Sequence, residues 1–151
     1  MRRASARATL PVTPPDVLRL WSDVERWPSF VEGFARRLEL TGEWPDQGGR
    51  VVWESNPDGR GRVTERVVEN GPERFATQVF EKALAGLQTL RALPADEGSE
   101  VELSLEYELE RYGPLRGIAD ALFIRRALRD SLKRTLYRFA LEAEDEAGLR
   151  E

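Results

Sequence analysis

Between Glu100 and Glu110 the chain alternates without a break. Val101, Leu103, Leu105, Tyr107 and Leu109 hold one parity; Glu100, Glu102, Ser104, Glu106, Glu108 and Glu110 hold the other. Period two is the strand signature, and this strand has one apolar face and one acidic, wet face. Its apolar side has to be covered by another element. The cover lies just downstream. From Leu115 to about Glu144 the chain has no proline, and no glycine after Gly117. Leu128, Leu132, Leu136, Phe139, Ala140 and Ala143 recur there at helical spacing and form a continuous apolar stripe. Leu115, Ile118, Ala119 and Leu122 are rotated from that stripe, and Gly117 allows a bend or a separate first turn. From Asp145 the tail is polar and is expected to fray.

The rest of the chain fits the same scheme. Ala4, Ala6, Ala8 and Leu10 alternate with Ser5, Arg7 and Thr9, which predicts a short first strand. Thr13-Pro14-Pro15-Asp16 reads as a helix start, with Thr13 as cap and a proline in the first turn. Val17, Leu18, Trp21 and Val24 continue one helical face, which is expected to end near Trp27-Pro28. Ser29, Phe30, Val31 and Phe34 suggest a second short helix or turn. From about 35 to 112 the expected pattern is antiparallel strands. Turn signals at Gly42 to Gly49, Asn56-Pro57-Asp58-Gly59, Asn70-Gly71-Pro72 and Ala95 to Gly98 punctuate runs of Val, Phe, Trp, Leu and Thr. In 50–93 the alternation is poorer, and it does not decide which parity faces inward. Tyr112-Gly113-Pro114 closes the last strand.

Composition narrows the chemistry. A length of 151 residues suits one domain, here 1–151, and 40% apolar residues suffice for an ordinary core. The absence of cysteine excludes disulfides and thiolate chemistry, and the absence of histidine excludes imidazole bases and the commonest metal ligand. A net charge of −4 argues against DNA as a partner. There is no long apolar run and no secretory leader pattern, so a cytoplasmic location is the expectation. Neither a nucleotide-binding glycine motif nor a metal-ligand cluster is present; no cofactor and no metal are expected.

The expected fold class is α+β. A curved antiparallel sheet of about seven strands wraps around the long C-terminal helix, and two short helices after the first strand close one end. Pro15-Asp16-Val17-Leu18-Arg19-Leu20-Trp21-Ser22-Asp23-Val24-Glu25-Arg26-Trp27-Pro28 resembles the opening of the polyketide cyclase/dehydrase and lipid-transport family, within the START-like, helix-grip superfamily. Tyr112-Gly113-Pro114-Leu115 and the Arg-rich helix that follows are similar as well. The resemblance implies a deep apolar cavity between sheet and final helix. It implies no universal catalytic set, since the family includes carriers, quinone-binding proteins, aromatase/cyclases and receptors.

Candidate site residues follow from the predicted faces. Trp53, Phe80, Leu90, Tyr107 and Phe123 are candidates to line the cavity, with plain core packing as the other reading. Tyr107 stands out, because its strand turns it inward and its hydroxyl needs a partner. Trp21, Trp27 and Phe30 either gate the cavity or, more economically, anchor the short helices. Arg125 falls between Ile118, Leu122, Leu132 and Leu136 on the helical wheel. It either enters the cleft, paired with an acid such as Glu54 or Glu65, or snorkels outward because the helix bends. Arg116, Arg126, Arg129, Lys133, Arg134 and Arg138 form a dense basic set. That set is either a solvated face or a weak contact for anionic membrane or RNA. The sequence therefore points to binding of a hydrophobic or amphipathic small molecule: a lipid, a quinone, or an aromatic or polyketide-like compound. A cyclase/dehydratase-type enzyme and a protein-interaction module using the basic helix remain alternatives. No catalytic residue is assigned, and the oligomeric state stays open.

Overall fold

The computed structural model describes residues 2–57, 59–82, 84–109 and 118–149. The first strand, β1 (Arg2–Leu10), leads into α1 (Pro14–Ser22), a 3-10 turn (Val24–Arg26) and α2 (Trp27–Phe30). Six strands follow: β2 (Phe34–Thr41), β3 (Arg50–Ser55), β4 (Arg62–Asn70), β5 (Arg74–Glu81), β6 (Leu84–Ala95) and β7 (Gly98–Leu109). The long helix α3 (Ile118–Leu149) ends the described chain. The strands form one antiparallel sheet in the order β1-β7-β6-β5-β4-β3-β2. Every neighbour is sequential except β1, which returns beside β7. The predicted fold class is therefore the observed one.

The predicted helix boundary near Trp27-Pro28 shifts. α1 stops at Ser22, and Pro28 opens α2. Proline restrains the residue before it, but in a first turn its missing N–H removes no bond. Thr13 lies at the N-cap of α1 without a side-chain cap; its hydroxyl donates to Asp16 Oδ2 (3.3 Å), while its carbonyl accepts from Val17 N (2.9 Å). Residues 145–149, expected to fray, continue α3. Glu146 there meets both Arg19 (3.2 Å) and Arg26 (3.3 Å) and ties the helix end to the short helices. The expected strand closure at Tyr112-Gly113-Pro114 and the bend at Gly117 lie outside the described residues, as does Arg116.

Register resolves the parity that the sequence left open. The inner face carries Val51 and Trp53 of β3, Val63, Glu65 and Val67 of β4, Phe75, Thr77 and Val79 of β5, and Leu90 and Ala92 of β6. On β7 the inner face is Val101, Leu103, Leu105 and Tyr107, in the predicted phase. Irregular register between Val67 and Glu69, and at two places along β2, bends the sheet. At Gly86 the approach to β7 is so close that a Cβ would stand 2.4 Å from the Glu106 carbonyl oxygen.

α3 packs along β1 and against α2. Its core contacts are Leu132, Leu136, Phe139 and Ala143, whereas Ile124 and Leu128 are only half-buried. The C-terminal half is thus the better seated. Phe139 meets Trp21 and Phe30 edge-on, and Trp21 stacks on Phe30 (5.3 Å). Trp27 Nε1 donates to the Trp21 carbonyl (2.7 Å) and Trp44 Nε1 to the Ser22 carbonyl (2.8 Å). These bonds and ring contacts fix the short helices over one end of the interior.

Candidate functional site: a polar cluster inside the sheet

One carboxyl sits where the alternation of β4 calls for an apolar group. Val63, Glu65 and Val67 share a parity, so the strand that buries two valines buries Glu65 with them. A carboxyl taken out of water needs hydrogen-bond partners. Trp53 Nε1 donates to Glu65 Oε2 (2.8 Å) from β3, and Thr77 Oγ1 donates to Glu65 Oε1 (3.0 Å) from β5. Gln88 is the register partner of Thr77 on β6 and extends the polar row across the sheet. Burial pushes the Glu65 carboxyl above its ordinary pKa. The Arg60 charge and the two hydrogen bonds oppose this, Glu81 reinforces it, and burial prevails.

Arg60 comes from the turn between β3 and β4. Its Nε donates to Glu81 Oε2 (2.6 Å), and its guanidinium lies 5.0 Å from the Trp53 ring centroid. The cation is therefore engaged by a carboxylate and an aromatic face at once.

Glu65, Arg60 and Gln88 border a cavity of about 30 Å³ between the sheet and α3. Ser131 and Thr135 of α3 close it from the other side; Trp21, Trp27, Leu103 and Leu132 supply apolar wall. Such a volume accommodates about one or two waters, far short of the roughly 300 Å³ or more typical of ligand pockets. This cavity is small and lined by both polar and apolar side chains.

The predicted site residues divide. Trp53, Leu90 and Tyr107 are fully buried on the inner face. Among them Trp53 bonds Glu65 directly. The Tyr107 hydroxyl is buried and has no hydrogen-bond partner among the described residues. Burial raises its pKa against the pull of Arg2 and Arg125. Phe80 and Phe123 are placed elsewhere. Phe80 is out of phase with Phe75, Thr77 and Val79 and is 49% exposed; Phe123 is 73% exposed on α3. Arg125 is exposed too, and neither acid considered for it is its partner. Glu54 pairs with Arg36 (2.9 Å), and Glu65 is held by Trp53 and Thr77. The face of α3 that buries Leu132 and Leu136 is no longer covered at Arg125. Trp21, Trp27 and Phe30 are buried anchors of the short helices, and the first two also border the cavity.

The sequence reading considered Glu65 only as a partner for Arg125. Its signal was a single acid in phase with Val63 and Val67, visible once the inner parity of β4 is known. Among the described residues no group of three potential metal ligands converges, and no helix is long and apolar enough to cross a membrane.

Residues 1–144 match the family described as polyketide cyclase / dehydrase and lipid transport. No curated protein matches the chain. Solved structures similar to it include a START superfamily protein from Mycobacterium smegmatis, with 11% identity, a TM-score of 0.76, and 95% of this chain and 97% of that one covered. TTHA0849 from Thermus thermophilus has 19% identity and a TM-score of 0.75, covering 96% of this chain and 99% of its own. The ZhuI aromatase/cyclase from Streptomyces sp. R1128 has 17% identity and a TM-score of 0.71, covering 97% and 95%. At these identities the likeness is one of fold.

Proposed function

Because the chain belongs to the polyketide cyclase / dehydrase and lipid transport family, we propose that it binds a hydrophobic or amphipathic small molecule between the sheet and α3. The observation that carries this reading is the Glu65 cluster. A hydrogen-bonded carboxyl with Arg60 and Gln88 beside it borders a cavity between sheet and α3. Polar groups so placed orient a ligand, while its apolar body leaves water at roughly 25 cal/mol per Å². Tyr107 offers a second polar contact. Room for the apolar body comes from the half of α3 that is only partly seated, around Ile124 and Leu128. Displacing that half enlarges the cavity without disturbing the Phe139 anchor.

Nile red titration tests this reading. Saturable one-to-one binding with a blue-shifted emission is expected. Leu132→Phe, which fills the cavity wall, weakens binding by about tenfold or more if the ligand occupies this space. Unchanged binding in that variant places the dye elsewhere and refutes the site.

The outer side of α3 supplies a docking contact for ligand exchange. Leu122, Phe123, Tyr137 and Leu141 are exposed, and Arg126, Lys133, Arg134 and Arg138 are exposed among them. Apolar side chains flanked by cations suit an anionic lipid surface. Turnover is a second reading, favoured by Glu65, which as a buried acid could supply a proton to a bound carbonyl compound.

A further inference from the structure

We infer that the polar end of the bound molecule is a neutral carbonyl oxygen, and that carboxylate-headed and amine-headed amphiphiles are rejected. The inference rests on the binding reading above and narrows the ligand class. It follows from counting charges and hydrogen-bond roles around the cavity. Arg60 is the single cation among the described lining residues, and Glu81 already engages it at 2.6 Å. A ligand carboxylate would bring a negative charge beside Glu81, which already takes up Arg60, with no second cation among the described lining residues to meet it. A buried charge without a partner is strongly disfavoured.

An amine head would need Glu65 ionised. Burial favours the protonated carboxyl instead. Arg60 and Glu81 are the charged groups that bear on it electrostatically, and α3 contributes no charge to the lining, only Ser131, Leu132 and Thr135. In the protonated state both Glu65 oxygens still accept, from Trp53 and Thr77. A proton on Oε2, where Trp53 only donates, has no partner among these bonds, and the cavity is the space beside it. Gln88 and Thr135 also carry N–H or O–H groups, while the Ser131 hydroxyl bonds Glu32. These donors suit an acceptor, and a carbonyl oxygen is one that carries no charge and does not itself donate.

Three probes of matched length separate the possibilities: undecan-2-one, decanoate and decylamine, titrated below micelle formation by displacement of Nile red. The ketone is expected to bind about tenfold or more tightly than either charged probe near pH 7. Its affinity falls as pH rises through the raised Glu65 pKa, because an ionised Glu65 repels the carbonyl oxygen. Glu65→Gln removes the ionisable group, so the pH profile of whatever ketone binding the variant retains becomes flat. Decanoate or decylamine matching the ketone overturns the inference while leaving the binding reading intact. A pH profile that is flat in the unmodified protein also overturns it, whether or not the variant folds. If none of the three displaces the dye, the binding reading falls and the inference with it.

Discussion

Glu65 is the residue at which burial and charge conflict, and its protonation couples to stability with a definite sign. Its folded pKa is raised, so between the ordinary carboxylate value and that raised value the native state holds more protons than the unfolded chain. Stability from this group therefore falls as pH rises through that window. Glu65→Gln removes the slope. Urea denaturation is expected to show the variant gaining on the parent as pH increases from about 5 to about 8; parallel profiles contradict the assignment. Glu102 and Glu32 run the other way. Burial raises each, but the bonds and charges of Arg3 and Arg7 on Glu102, and of Arg134 on Glu32, outweigh it and hold both pKa values low. Their contribution is present above the ordinary carboxylate value and lost in acid. Both carboxylates have partly exposed partners, so the effect is small. At this scale the sequence was only partly legible. Trp53 and Tyr107 follow from parity, whereas Phe80 was misread because the β5 run offers two apolar parities, Phe75 and Val79 against Ala76 and Phe80.

Among the elements, α3 is unevenly held. Phe139 packs against two aromatic rings, and Glu146 bridges to two arginines, while Leu128 and Ile124 are half-buried. Phe139→Ala is expected to cost about 3–5 kcal/mol, and Leu128→Ala clearly less. Denaturant midpoints at unchanged m-value check the ordering, and equal losses contradict the uneven seating. The strand β7 was readable in full because one face is acidic and the other apolar. The break between α1 and α2 was not. Pro28 signals a discontinuity but does not say on which side of it the new helix begins, and here Trp27-Pro28 opens one. The continuation of α3 past Asp145 was equally hidden, because it depends on Arg19 and Arg26 brought in from another element.

Over the whole molecule, charge and shape separate into faces. Arg125, Arg126, Arg129, Lys133, Arg134 and Arg138 lie within 122–141 against a single acid, Asp130, although the chain carries −4 overall. Co-sedimentation with phosphatidylserine-containing vesicles is expected, weaker at high salt and lost in Arg126→Glu/Lys133→Glu. Equal binding to phosphatidylcholine vesicles contradicts the docking contact, and a preference for RNA over vesicles replaces it. The architecture was legible because element order and one-sided faces leave few ways to bury the apolar surface; cavity size was not, because it depends on how far α3 stands from the sheet. The central claim is that the interior admits a guest. Native mass spectrometry of protein purified without detergent and incubated with undecan-2-one tests it most directly. The account predicts one bound ketone per chain, sharply reduced in Leu132→Phe. A spectrum showing only the bare chain at saturating ketone, from protein that is folded, would contradict it.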